Sequence, residues 1–349
     1  MIKLNERRKN YSKISSTLSC LGNEPLLALL SKATPLHKGI GGTSTLLSLE
    51  GLPVFVKKVP LTDIELLTQN QHATANIFNL PLFYQYGVGS TGFGAWRELA
   101  THVMTTDWML ANECVQFPLL YHWRILENDP SDIHFQFWDD IENYTHYWEN
   151  NSAIRARIEA LNKSTSHITL FLEYVPQNLY QWLTSQITKG ANEAQIAIEF
   201  VKKNLFATNR FMHNHGLIHF DAHFENILTD GKLLYLSDFG LALSSKFELT
   251  PQEQNFLTRH QNYDDACAVV NLLHAIITAL FGKEDWEVKL KDYIAHPQKH
   301  LTPTTNEMIK HYAPIALAMD AFFQELQKKS KLTAYPVELI EKLLAYTCL

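Results

Sequence analysis

Asp221, Asn226 and Asp238 stand at a spacing that suits one kind of chemistry. Asp221 precedes Asn226 by five positions in His219-Phe-Asp-Ala-His-Phe-Glu-Asn-Ile-Leu228, and Asp238 lies twelve beyond it in Leu236-Ser-Asp-Phe-Gly-Leu-Ala242. Between them, Ile227-Leu228 and Leu233-Leu-Tyr-Leu236 flank Thr229-Asp-Gly231, a pattern that predicts a short hairpin with Asn226 and Asp238 at one end. An amide oxygen and a carboxylate are hard ligands of the kind Mg²⁺ takes. A second carboxylate, free of metal, can accept the proton of an incoming hydroxyl. Such a set suits phosphoryl transfer, where positioning and charge neutralisation do most of the work. On this reading Asn226 and Asp238 are the metal ligands and Asp221 is the catalytic base.

These residues resemble the catalytic loop and the metal-binding motif of the protein kinase-like superfamily, H-x-D-x-x-x-x-N followed by D-F-G. The resemblance extends from about Gly39 to Leu280 and is patchy in its first half. Arg210-Phe-Met-His-Asn-His-Gly-Leu-Ile218 resembles the helix end and turn before that loop, and Asp265-Ala-Cys-Ala the anchoring Asp of a later helix. Leu172-Glu-Tyr-Val175 resembles the hinge. The similarity puts Leu172 in the gatekeeper place and the backbones of Glu173 and Val175 on the adenine edge of ATP. Val54-Phe-Val-Lys57 resembles the V-A-I-K strand, whose lysine reaches the α- and β-phosphates, and Glu98 in Trp-Arg-Glu-Leu its helix partner. Gly39, Gly41 and Gly42 resemble the glycine turn that covers the triphosphate, with Ser44 where a third glycine belongs.

Several positions depart from the family pattern. Lys58 is the alternative to Lys57, because strand neighbours point to opposite faces and only one can reach the phosphates. Glu65 in Thr-Asp-Ile-Glu is the rival to Glu98, whose distance from Lys57 is about twice the usual one. Phe220 replaces the Arg that commonly grips a phosphorylated activation loop, which argues against that regulation. His223 stands where Ser/Thr protein kinases usually carry Lys and where aminoglycoside and choline kinases commonly carry His. It is a further catalytic candidate and leaves the acceptor open between a protein and a small molecule.

The elements that must position these residues are legible as patterns. Residues 1–36 read as a polar amino-terminal extension with one helical piece at Leu26–Leu30. Thr45–Glu50 and Val54–Val59 read as a hairpin around Gly51-Leu-Pro53. Trp96–Asn112 has helical spacing, and Phe117–Leu126 and Ile168–Val175 read as strands. Residues 127–166, rich in Asp, Glu, Trp and Tyr, read as a partly helical insertion whose aromatic residues either pack it onto its host, the commoner role, or form a substrate platform. Beyond Val175 helices dominate, at 178–189, 191–215, 262–281 and twice after 304. Together this predicts an α+β, bilobal, protein-kinase-like fold: a strand-rich first lobe at 37–175 and a helical second lobe at 176–349.

Composition fits a globular enzyme. The chain has 349 residues, 46% hydrophobic and 19% charged, enough for two cores. A net charge of −6 argues against a protein that coats nucleic acid. The four scattered cysteines suit reduced thiols rather than a disulfide or zinc framework. No apolar run follows Met1–Ser16, and Ala266–Phe281 reads as a buried helix rather than a membrane span, so a cytoplasmic location is expected. His213, His215 and His219 read as structural rather than metal-binding. The expected activity is ATP- and Mg²⁺-dependent transfer to a hydroxyl, Ser/Thr of a protein first. The alternatives are a small-molecule phosphotransferase and a nucleotide-binding pseudokinase or interaction module.

Overall fold

Short runs of β-branched and apolar residues, Val54-Phe-Val and Ile168-Thr-Leu-Phe-Leu172, pack on both faces of a sheet and set the fold of the first half of the chain. The computed structural model describes residues 2–39, 42–128, 140–297 and 300–346. The chain folds as two compact units: Met1–Tyr174 with Asp238–Ala242 and Lys246–Thr250, and Val175–Ser237 with Leu243–Ser245 and Pro251–Leu349.

The first unit contains α1 (Ile2–Ser19), α2 (Asn23–Leu30), β1 (Thr34–Gly39), β2 (Gly42–Leu49), β3 (Leu52–Leu61), α3 (Asp63–Leu66), α4 (Ala95–Ala111), β4 (Leu120–Glu127), α5 (Ile141–Tyr147), α6 (Ser152–Asn162) and β5 (Ser166–Glu173). The strands form an antiparallel sheet in the order β1-β2-β3-β5-β4. The expected hairpin is β2–β3, closed at Leu49↔Leu52 with Gly51 at φ 77°, a left-handed turn position that glycine adopts freely. Alternation along β3 divides its side chains between two apolar clusters. Val54 and Val56 join Ile14, Leu18 and Leu26 on one side, while Phe55 and Val59 join Ala95, Trp96 and Leu99 of α4 on the other. Lys57 shares the parity of Phe55 and Val59, and therefore the α4 side.

The amino-terminal segment does more than its polar sequence announced. α1 spans 18 residues, and Ile14 and Leu18 are fully buried in the sheet's core. Its apolar positions are too sparse among Lys, Arg and Ser to declare a core-facing stripe.

The second unit contains β6 (Gln177–Asn178), α7 (Leu179–Ile187), α8 (Ala191–Asn214), β7 (Leu217–Ile218), β8 (Ile227–Thr229), β9 (Leu234–Leu236), β10 (Leu243–Ser244), α9 (Pro251–Arg259), α10 (Tyr263–Phe281), α11 (Trp286–Ala295), α12 (Pro303–Lys328) and α13 (Val337–Ala345). α10 is long and apolar enough to cross a membrane by length and composition. Here it is a core helix, with Val269, Leu272, Leu273, Ile276 and Ile277 buried. The hairpin expected after Asn226 is β8–β9, paired at Ile227↔Leu236. Helices α9 and α11 lay outside the sequence reading.

Candidate functional site

In the first unit, β3 and α4 bring Lys57 and Glu98 together. The Lys57 ammonium donates to Glu98 Oε1 at 2.7 Å and to Asp238 Oδ1 at 2.8 Å. Lys57 and Glu98 are buried, whereas the Asp238 side chain is 41% exposed. Burial alone works to lower the lysine's pKa, but the charges and hydrogen bonds of Asp238 and Glu98 outweigh it, and the ammonium is held above its ordinary value. Burial raises the Glu98 carboxyl, with Lys57 pulling the other way and Asp238 adding to the rise. Asp238 sits at φ 63°. The next residue, Phe239, is fully buried, its ring 4.9 Å from that of His102 on α4 and 6.3 Å from that of Phe117.

Lys57, rather than Lys58, is the lysine whose ammonium meets Glu98. The rival carboxylate Glu65 is engaged elsewhere: it pairs with Arg157 at 2.9 Å and closes a capping box with Thr62 at the start of α3. Of the three glycines, Gly39 and Gly42 face each other across the end of β1–β2. A Cβ on Gly42 would meet the Lys58 carbonyl at 1.9 Å. Gly41 lies outside the described residues.

Leu172 is buried at the end of β5, and Glu173 follows it. The Glu173 N–H donates to the Leu119 carbonyl at 2.8 Å. Its carboxylate is gripped by Arg7 of α1, through Nε to Oε1 at 2.8 Å and Nη2 to Oε2 at 2.7 Å. The same guanidinium donates to the carbonyls of Val115 (2.8 Å) and Phe117 (2.6 Å). No sequence motif announced Arg7; its partner is 166 positions away. Of the aromatic residues at 127–166, Tyr144 and Tyr147 donate to the carbonyls of Gly89 and Val88. Trp148 is fully buried against Phe83 and Tyr84. They pack this segment onto the loop before α4, while Phe135, Phe137 and Trp138 lie outside the described residues.

In the second unit, a tight loop between β7 and β8 carries Asp221, His223 and Asn226. The Asn226 amide donates to the Asp221 carbonyl and to Asp221 Oδ2, both at 3.0 Å. This fixes the amide's nitrogen end and leaves its oxygen end as the donor a metal takes. His223 Nε2 lies 4.0 Å from Asp221 Oδ2. The Asn226 carbonyl accepts from the backbone and the hydroxyl of Ser237 at 3.1 and 2.7 Å. His219, fully buried, braces the loop from within: its Nδ1 accepts from the Asp221 N–H at 3.3 Å, so Nε2 carries the hydrogen and donates to the Ser237 carbonyl at 3.0 Å.

The loop is anchored on α10 by Asp264, not by Asp265. Asp264 accepts the backbone N–H groups of His219 (2.7 Å) and Phe220 (3.0 Å), and lies 3.7 Å from His213 Nε2. Burial pushes its carboxyl up, but His213 and these hydrogen bonds outweigh that and hold it below its ordinary value. Asp265 turns instead to Asn209 at 2.9 Å. Helical phase does not separate the two in sequence: counting back in fours from the buried Ile276, Leu272 and Ala268 lands on Asp264, and from the buried Ile277, Leu273 and Val269 on Asp265. Phe220, at φ 63° and buried, packs in an aromatic cluster with Phe256, His260 and Tyr263. Among the described residues no three His, Cys, Asp or Glu side chains assemble into a metal cluster.

Residues 144–261 match the protein kinase domain family. Over that stretch the chain is protein kinase-like. The match includes the loop with Asp221 and Asn226 and the Asp-Phe-Gly of Asp238, and leaves Lys57, Glu98 and the glycine turn outside it. It supports a kinase-type phosphotransferase and implies, for such a domain in general, ATP and Mg²⁺ use and a hydroxyl-bearing substrate. The mixed helix and antiparallel-sheet architecture is compatible with a kinase-like α+β fold.

Proposed function

We propose that this kinase-like chain transfers the γ-phosphoryl group of ATP to a hydroxyl, with Ser/Thr of a protein as the first acceptor class. The observation that carries it is the buried Lys57 ammonium held between Glu98 and Asp238. A buried charge of this kind is costly to keep, and the cluster as a whole is one unit negative. A fixed ammonium beside a half-exposed carboxylate is the arrangement that receives an anionic phosphate together with a divalent cation.

Asp238 and Asn226 are the proposed Mg²⁺ ligands. Their hard-oxygen set of one carboxylate and one amide suits an ion that keeps several waters and takes its other ligands from phosphate. When bound, Mg²⁺ would neutralise charge on the phosphates. Lys57 contacts the α- and β-phosphates, held in place by Glu98. Asp221, oriented by Asn226, accepts the hydrogen bond of the incoming hydroxyl and takes its proton. Gly39, Gly41 and Gly42 cover the triphosphate, and the backbones of Glu173 and Val175 meet the adenine edge.

The test is incubation with γ-labelled ATP and Mg²⁺, wild type beside Asp221→Asn and Asp238→Ala, in the presence of a cell extract. Label on Ser or Thr that depends on both carboxylates is the expected result. Label confined to small molecules would transfer the assignment to the branch that His223 resembles. ATP bound without turnover would leave a pseudokinase. Full phosphotransfer by a folded Asp221→Asn variant would overturn the role of Asp221.

A further inference from the structure

Glu65 is 1% exposed, and its carboxylate is the meeting point of three elements. Oε2 accepts from the Thr62 backbone at 3.0 Å and from the Thr62 hydroxyl at 2.7 Å, immediately after the strand that carries Lys57. Oε1 accepts from the Ala95 N–H at 2.8 Å, the first residue of the helix that carries Glu98. The Trp96 indole donates to the Glu65 carbonyl at 3.0 Å. Helix α4 has no side-chain cap of its own, because Gly94 occupies that position. A Cβ on Gly94 would come within 3.0 Å of Glu65 Oε1, and its φ of 153° disfavours a side chain there. Glu65 therefore supplies from outside the carboxylate that a helix amino terminus favours.

The counter-charge comes from α6. Arg157, 2% exposed and 92 positions away in sequence, donates to Glu65 Oε2 at 2.9 Å, its guanidinium 4.9 Å above the ring of Phe78. Burial alone would push the Glu65 carboxyl up; Arg157 and the Thr62 hydrogen bonds hold it below its ordinary value, so the cap stays charged. Without Arg157, a buried carboxylate would face an apolar surrounding with nothing to balance it.

We propose that the buried Arg157–Glu65 pair is a positioning device for phosphotransfer: it fixes the start of α4 against the end of β3, so that Glu98 meets Lys57. Helix α6 thereby acts on a lysine it does not touch. This rests on the phosphotransfer role proposed for Lys57 and Glu98, and the device itself is open to a measurement that does not need turnover.

The experiment compares wild type with Arg157→Met and with the double variant Arg157→Met/Glu65→Gln. The double variant contains no buried unpaired charge, and the Gln oxygen still accepts the Ala95 N–H. Two readouts are taken at a temperature where all three are folded: steady-state kinetics with ATP, and hydrogen exchange of the amides at the start of α4. Arg157→Met is expected to lower kcat about tenfold or more through misplacement of the Lys57–Glu98 pair, with a smaller change in KM for ATP. Protection at Ala95–Glu98 falls with it, and the double variant regains most of both. Wild-type exchange at Ala95–Glu98 in Arg157→Met overturns the proposal, as does a double variant no better than the single one. A wild type that transfers no phosphoryl group sinks the phosphotransfer role alone, and the exchange comparison still decides the device.

Discussion

The two units hold their chemistry by different physical means. In the first, charges are fixed by other charges: Lys57 by Glu98 and Asp238, Glu65 by Arg157, and Glu173 by Arg7. In the second, a loop is fixed mainly by its own backbone, with Asp264 accepting two N–H groups, His219 bridging two backbone segments, and Phe220 packed among aromatic rings. The contrast follows from what each must hold. A lysine and a glutamate on separate elements meet only if each element is placed independently, and buried ion pairs specify such placement over long sequence separations. The proposed base and metal ligand, five residues apart, need only a loop of fixed shape, and hydrogen bonds to the backbone determine that directly.

Breaking each device tests this contrast. The largest effect is expected at Lys57→Met, which removes the ammonium from between two carboxylates and should lower phosphotransfer about 10²- to 10³-fold, read from initial rates. Next is Asp264→Ala, which strands two buried N–H groups and should cost about 3 kcal/mol in chemical denaturation. Asp264→Asn should restore part of that, since an amide oxygen still accepts. A loss below about 1 kcal/mol would mean that the loop is not anchored there.

Arg7→Ala leaves the Glu173 carboxylate without its guanidinium and is expected to cost about 2 kcal/mol of stability. By the adenine-edge role proposed for Glu173, it should also raise KM for ATP more than it lowers kcat. Equal changes in both would separate Arg7 from nucleotide binding. The smallest effect, taken per pH unit, is a pH dependence. Burial among Phe256, Tyr263 and Tyr335 lowers the His260 pKa to about 4. The unfolded chain therefore takes up a proton from about pH 6.5 downwards that the folded chain refuses, and stability falls as pH drops through that window by about 1.4 kcal/mol per unit. Thermal melts of His260→Phe should lack that slope. His213, raised by Asp264 against the effect of burial, works in the opposite sense, contributing below pH 6.5 and losing its contribution as pH rises through its folded value.

Much of this protein was legible because its chemistry is local in sequence. The hairpin β2–β3, the strand at 166–173, the helix bearing Glu98 and the loop from His219 to Asn226 all follow from apolar periodicity and turn residues acting within a few positions. The pattern from Asp221 to Asp238 was readable for the same reason. What the sequence alone could not determine are the partners of buried charges. Strand alternation left Lys57 and Lys58 open; which face of β3 packs on α4 decides which ammonium meets Glu98. Glu65 looked like a rival for that lysine until a guanidinium 92 residues away took its carboxylate. Adjacent aspartates were equivalent as letters, and the rotation of α10 in its core gave the loop to Asp264 and left Asp265 to Asn209. The polar sequence of α1 gave no sign that Arg7 would grip Glu173. The physical reason is common to all four: local pattern sets which elements form, whereas a buried charge takes its partner from whatever the packed core brings within reach.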